Sequence, residues 1–300
     1  MSQLIECIPN FSEGRRTEVI EAIAETIKSV PNVILLDYSS DYSHNRSVFT
    51  FVGKPESVIE AAFLSAKKAS ELIDMNVHTG EHPRMGAVDV IPFVPIKYVT
   101  MDECINFSKQ LGERLASELS IPVFLYEEAA VSAERINLAN IRKGQFEGMK
   151  EKIKDADRRP DFGAQEVHPT AGVTAVGARM PLVAYNVNLN TADLNISKQI
   201  AKTIRESNGG LKYVKSIGVM LEDRNIAQVS INMTNYEVTP LYRVFELIKI
   251  EAQRYGVNVI GSEIIGLTPM NALIDSAKYY LQLEEFNEKK QVLENCLLSS

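Results

Sequence analysis

Residues 78–86 read HTGEHPRMG and hold two of the four histidines of the chain, beside Glu81 and Arg84. Three chemistries suit such a stretch. Two histidines at helical spacing put two zinc ligands on one face of a helix. Gly80 lies between His78 and His82, however, and Pro83 follows, so the stretch belongs on a loop. No cysteine or third histidine stands close by; His44 and His168 are distant in sequence, and no metal is expected. On a loop leading into a strand, His82 is placed to take and return a proton, because an unperturbed imidazole titrates close to neutrality. Glu81 and Arg84 would then tune or position it. The third reading is a polar turn that only joins two elements.

Two further patterns put polar groups in rows. Asn186, Asn188 and Asn190 alternate and so share one face of a strand, as do Gln228, Ser230 and Asn232. Such rows either meet solvent on the open face of an antiparallel sheet or line a groove. In a groove their amides offer donors and acceptors to a heterocycle. Residues 142–181 are charged at first, with helical patches, and lose periodicity from Pro160 onward, where Gly163, Gly172 and Gly177 fall. That segment is either a solvated linker or a binding loop whose glycines admit a close ligand.

Elements must hold these residues in place. Residues 3–9 read as a strand. Residues 17–28 carry Val19, Ile20, Ile23 and Ile27 at helical spacing. The apolar run NVILLD, 32–37, predicts a buried strand, and RSVFTFVG, 46–53, another. Pro55 opens a helix with Ile59, Ala62, Phe63 and Ala66 on one face. A strand at 87–96 completes a β-α-β-β-α-β order, the ferredoxin-like unit. A helix at 102–119 and a strand at 121–126 follow. The order then recurs: strand 182–189, helix near 192–206, strands 214–221 and 226–233 around EDRN, helix near 239–255, strand 257–265 and helix 270–284. The expected architecture is α+β, two tandem ferredoxin-like (βαββαβ) subdomains, 1–178 and 179–300, with a ligand tunnel between them.

The 300 residues suit one large domain or two ordinary ones. A net charge of −7 disfavours a general nucleic-acid binder. Three scattered cysteines form no disulfide framework and fit a reducing cytosol. Neither a signal pattern nor a membrane-spanning apolar run is present, so a cytoplasmic protein is expected.

The run GEHPRMGAVDVIPFVP, 80–95, together with IPNFSEGRR, 8–16, NRSVFTFVGKPE, 45–56, PDFGAQEVHPTAGVTAVGAR, 160–179, and AQVSINMTNYEVTPLY, 227–242, closely resembles the glutamate formimidoyltransferase (formiminotransferase) family over nearly the whole chain. The resemblance implies transfer of a formimino group from N-formimino-L-glutamate to tetrahydrofolate, a co-substrate, giving 5-formimino-tetrahydrofolate and L-glutamate during histidine degradation. It implies a homodimer, and a separate cyclodeaminase to take the product, since animal relatives fuse that enzyme to this module. It makes His82 the catalytic histidine. It makes Gly163, Ala164, Gln165, Glu166, Val167, His168, Pro169, Thr170, Ala171 and Gly172 the folate-binding segment. Arg84, Asn45, Arg46 and Asn188 are expected to touch substrate, and Arg179 stands beside a motif. The chain departs from the family at HPTAG, 168–172, where relatives carry VPSWG; the stacking contact to folate is then either missing or supplied by Tyr185 or Tyr236. It departs again at Ser39 of DYSSD, where the family pattern is acidic and Asp37 or Asp41 would serve. Short of apolar anchors, 163–172 is expected to become ordered on folate binding. Two other functions remain open: formyl transfer between 5-formyl-tetrahydrofolate and glutamate, and non-catalytic folate binding.

Overall fold

The computed structural model describes residues 3–299, and the chain divides into two units between Arg179 and Met180. In the first, β1 (Leu4–Cys7) and β2 (Asn10–Phe11) are one strand broken at Pro9. A proline has no N–H for the ladder, so the chain steps around it. The helix α1 (Thr17–Lys28) buries Val19, Ile20, Ile23 and Ile27, the stripe its spacing requires. Then come β3 (Val33–Asp41), β4 (Arg46–Gly53), α2 (Pro55–Leu72) and β5 (Val88–Lys97). The sheet order β3-β4-β1/β2-β5 is the ferredoxin-like order. Two more strands extend this sheet past β5, with α3 (Met101–Leu119) packed on the same face as α1 and α2. Thr100 and Glu103 start α3 with a capping box. The first added strand in sequence, β6 (Val123–Glu127), lies outermost; the short helices α4 (Ala133–Ile136), α5 (Leu138–Ile141) and α6 (Gln145–Lys152) come next; and β7 (Thr174–Ala178) runs parallel between β5 and β6.

Two expectations fail here. NVILLD is not a buried strand. As β3 it extends to Asp41 and pairs only with β4, at the sheet edge. Val33, Leu35 and Tyr38 pack on the core, while Ile34 is 63% exposed. An apolar run cannot by itself distinguish two covered faces from one. Residues 160–181 are not all loop either: TAVGA forms β7, buried throughout. Its Gly177 is needed because a Cβ there would lie 2.4 Å from the Tyr126 carbonyl oxygen and 2.5 Å from its ring. The face of the sheet opposite α1–α3 is covered at this end by Ile141, Met149 and Ile153, which pack on Val90, Phe124 and Tyr126.

The second unit holds β8 (Val183–Leu189), α7 (Leu194–Ile204), β9 (Val214–Leu221), β10 (Ile226–Met233), α8 (Leu241–Arg254), β11 (Val259–Ile265) and α9 (Met270–Leu281). Its antiparallel order β11-β8-β10-β9 is again ferredoxin-like, as the repeated element order predicted. Val183, Val187, Val229 and Ile231 meet Ile200, Ile204, Val244 and Ile248 in its core. Among the described residues no helix is long and apolar enough to cross a membrane.

Candidate active site

HTGEHPRMG lies on a loop between α2 and β5, and its neighbours hold it rigidly. Gly80 passes so close to the preceding hairpin that a Cβ would sit 2.3 Å from the His44 carbonyl oxygen. Asn45, in the left-handed region at φ 49°, accepts from Gly14 N–H at 2.9 Å and donates to the Thr79 carbonyl at 2.9 Å. Both ends of its amide are thus engaged within the protein. Ser12 of IPNFSEGRR donates to the Gly86 carbonyl at 2.7 Å. His78 accepts at Nδ1 from Arg84 Nε, 3.3 Å, and donates from Nε2 to the Asn45 carbonyl, 3.0 Å. It is therefore a neutral imidazole with both nitrogens occupied, and neither offers a lone pair to a metal. Burial and the Arg84 guanidinium agree, holding its pKa below the usual value.

Arg84, expected at the substrate, is committed elsewhere. Its Nε bonds His78 Nδ1, Nη1 bonds Gln145 at 2.8 Å and Glu147 at 2.9 Å, and Nη2 bonds Glu147 at 2.6 Å and the His78 carbonyl at 3.3 Å. A guanidinium has five N–H donors; all five are filled by the protein. Arg84 ties the loop to α6 and has no donor left for a ligand. Asn45 is likewise a clasp of the loop.

His82 is different. Its Nδ1 stands 2.6 Å from the Pro83 carbonyl oxygen, an acceptor; in the tautomer that donates to this oxygen, Nδ1 carries the proton. The base nitrogen is then Nε2, which has no partner among the described residues. Arg46 Nη1 lies 3.1 Å from the same Nδ1 and, facing an N–H, acts as a neighbouring positive charge. Burial first, then Arg46 and Arg142, bring the His82 pKa down to about 4, so the ring is neutral at physiological pH. The His44 ring, paired with Asp41, lies 6.1 Å away.

Behind His82 is a buried charge cluster on the face of the sheet opposite α1–α3. Asp89 on β5 is 0% exposed. Its Oδ1 accepts from Met85 N–H at 2.9 Å, and its Oδ2 accepts from Arg46 Nη1 at 2.8 Å and from Arg142 Nη2. Arg46 also donates to Asn10 Oδ1, at 3.1 and 2.8 Å. Two guanidiniums facing one carboxylate leave one uncompensated positive charge. Arg142 Nε is buried without an acceptor. Arg179 hydrogen-bonds Tyr126 and acts electrostatically on Glu6.

The glycine-bounded segment abuts this loop. Ala87 N–H donates to Ala171 O at 2.8 Å, Val173 N–H to Met85 O at 3.0 Å and Met75 N–H to Thr170 O at 2.8 Å. Gly86 is required, since a Cβ would lie 2.2 Å from the Val173 carbonyl oxygen. His168 Nδ1 accepts from Ala171 N–H at 2.9 Å and Thr170 N–H at 3.3 Å, closing a turn on itself. The expectation of a segment without anchors therefore fails for 168–172: its backbone is bonded and Ala171 is 1% exposed in the core. Residues 163–166 are exposed.

In the second unit, Gln228 pairs across from Asn188 and Ser230 from Asn186. Gln228 Nε2 donates to Asn188 Oδ1 at 2.8 Å and to Glu263 Oε1 at 2.9 Å, and Asn186 donates to Glu263 at 3.2 Å. The expected row is thus a connected cluster, with Asn190 just beyond β8 and Glu263 an unforeseen member. Tyr185 and Tyr236 are buried in this unit's core, so neither presents a ring for stacking, contrary to expectation.

Comparison with known proteins bears on these features together. The formiminotransferase domain, N-terminal subdomain, matches residues 4–179, and the formiminotransferase domain matches residues 184–296. The chain belongs to the formiminotransferase family. A glutamate formimidoyltransferase of Streptococcus pyogenes serotype M1 is 64% identical over 99% of this chain and 100% of its own length. One from Thermoplasma acidophilum is 51% identical over 95% of this chain and 94% of its own. The formimidoyltransferase-cyclodeaminase of Rattus norvegicus is 48% identical over 95% of this chain and 54% of its own length.

In this formiminotransferase, the residues around His82 that sequence reasoning missed are Asp89 and Arg142. Asp89 breaks the apolar run AVDVIPFVP, and a charge inside an otherwise buried strand is a usable signal. Arg142 gives none: it follows α5 in a charged stretch, and only the fold brings it to Asp89.

Proposed function

We propose that this chain transfers the formimino group of N-formimino-L-glutamate to N5 of tetrahydrofolate, with His82 carrying the proton. The observation that carries the reading is the setting of His82 in a family of formiminotransferases: Nδ1 stands 2.6 Å from a carbonyl oxygen, the ring is neutral, and Nε2 has no partner among the described residues. N5 attacks the formimino carbon and forms the new C–N bond. Its proton passes to Nε2, and Nε2 then delivers a proton to the glutamate nitrogen as the old C–N bond breaks. Glutamate leaves, and His82 returns to its neutral form. One residue serving in turn as base and acid contributes about 10²–10⁴-fold; holding the two substrates together contributes the larger share.

Residues 163–172 would hold tetrahydrofolate, the exposed 163–166 stretch approaching it from a base fixed by 168–172. Arg46, beside His82, would meet a substrate carboxylate. Asn188 would contribute through the amide cluster of the second subdomain. The reading extends to a cytoplasmic homodimer whose product passes to a separate cyclodeaminase; the free thiols of Cys7, Cys104 and Cys296 suit that compartment. The test is turnover with tetrahydrofolate and two donors side by side, formiminoglutamate and formylglutamate. Release of glutamate from the first alone is the expected result. Preference for the second would make the enzyme a formyltransferase, and no turnover with either would leave a binding module.

A further inference from the structure

The cluster behind His82 is unbalanced. Arg46 and Arg142 are 11% and 15% exposed, and they share Asp89. A guanidinium removed from water needs its donors filled and its charge met. Arg142 Nε is enclosed with no acceptor among the described residues, the rest of its side chain is 15% exposed, and one positive charge is left over. The adjacent imidazole is neutral and supplies no anion. A carboxylate has the charge and the paired oxygens that match a guanidinium edge.

We infer that Arg142, with Arg46 beside it, binds the α-carboxylate of the formimino donor and so makes that group the specificity determinant of the enzyme. This rests on the transfer reading above. In formiminoglutamate the α-carboxylate hangs on the same carbon as the nitrogen that leaves. A group that holds it must therefore lie next to the base that serves that nitrogen. Arg46 Nη1 is 3.1 Å from His82 Nδ1 and meets Arg142 on one Asp89 oxygen, so the cation pair flanks the ring whose other nitrogen, Nε2, is the base. The carboxylates of tetrahydrofolate lie at the far end of its aminobenzoyl arm and do not fit so close to N5. Asp89 then has a reason to be shared: it fixes both guanidiniums while neutralising only one of them.

The experiment compares formiminoglutamate with N-formimino-4-aminobutyrate, the same molecule without its α-carboxylate. Binding to the wild type, R142K and R142M is measured by calorimetry, and donor KM and kcat with tetrahydrofolate by turnover. The wild type should bind formiminoglutamate about 10–100-fold more tightly than the analogue, the range for charge-assisted bonds to one carboxylate. Both variants should lose most of that preference while binding the analogue as before, with the KM for tetrahydrofolate unchanged. R142K keeps a cation for Asp89 and so guards against a folding defect, yet a lysine cannot reproduce the fork. The inference is overturned if the wild type does not distinguish the two compounds, if both variants keep the preference, or if tetrahydrofolate binding weakens instead. A wild type that discriminates between the compounds but transfers nothing would overturn the transfer reading and leave the anion site standing.

Discussion

Replacing Asp89 by asparagine removes one charge and almost no volume, which isolates the electrostatics of the cluster. The amide oxygen can still accept from Met85 N–H. The Nδ2 group then faces Arg46 and Arg142 as a third donor, where Oδ2 had accepted from both. Breaking a buried ion pair by deleting one partner costs about 3–5 kcal/mol. The arginines are 11% and 15% exposed, so water recovers part of this and the lower end applies. About 3 kcal/mol corresponds to a fall in Tm of about 6–12 °C for a folding unit of this size. Calorimetric melts at pH 7 measure it. Adding Arg142→Met to Asp89→Asn should recover more than about 1 kcal/mol, since one stranded cation is then gone. The pH arm has a definite sign. The two guanidiniums hold the Asp89 carboxyl below its ordinary value, despite burial, which opposes them. Its contribution is thus fully present above the unfolded carboxyl pKa and is lost only as pH falls through the lower folded one. The gap between wild type and Asp89→Asn should stay constant from neutrality to about pH 4 and narrow below that. A loss under about 1 kcal/mol, an additive double mutant, or a gap that closes by pH 5–6 would refute the argument.

His82→Gln should lower kcat by about 10²–10⁴-fold with both substrates still bound, and wild-type turnover in the variant would remove the histidine from the chemistry. Because the neutral form acts and the folded pKa is brought down to about 4, the acid limb of wild-type kcat/KM should fall well below the ordinary histidine value; a limb at about 6.5 would contradict the environment described. The same shift makes the folded state bind fewer protons than the unfolded chain between those values, so stability should rise with pH there, less steeply in His82→Gln, as urea titrations at several pH values will register. Gly80→Ala should displace the loop from the His44 carbonyl, costing about 1–3 kcal/mol and lowering kcat, whereas an unperturbed melt would mean the approach is easily relieved. Ala171→Trp should destabilise by more than about 1–3 kcal/mol, because the site is full; tighter folate binding in a stable protein would show room there.

The periodic parts of the molecule were legible. The stripe of α1, the Pro55 start of α2 and the EDRN turn all fall where spacing and turn chemistry put them. What was lost depended on partners far along the chain. Gly177 looked like loop because nothing local reveals the Tyr126 ring that it passes beneath. β3 looked buried because the run Val33–Leu36 says nothing about how many strands flank it. Around the histidine loop, His82 stands out by its own loop and by family resemblance, and Arg46 by its motif, as candidates for the proposed chemistry. Arg84, next to a histidine, reads as a substrate ligand, whereas Glu147 and Gln145, which fill it, lie far along the chain. Asp89–Arg142 is a contact between residues with no periodic relation, so neither predicts the other.

The bonds that fasten the histidine loop to residues 170–173 run from main chain to main chain: Met75 to Thr170, Ala87 to Ala171, Val173 to Met85. Side-chain replacement leaves every one of these intact. An alanine scan would therefore report the packing of Met75 and Val173, which are buried, and not the bonds of the seam themselves. Only chemical editing of the backbone, an ester in place of the amide at Ala87 or Val173, would cut a single thread and reveal how much of the motion of one loop is inherited by the other.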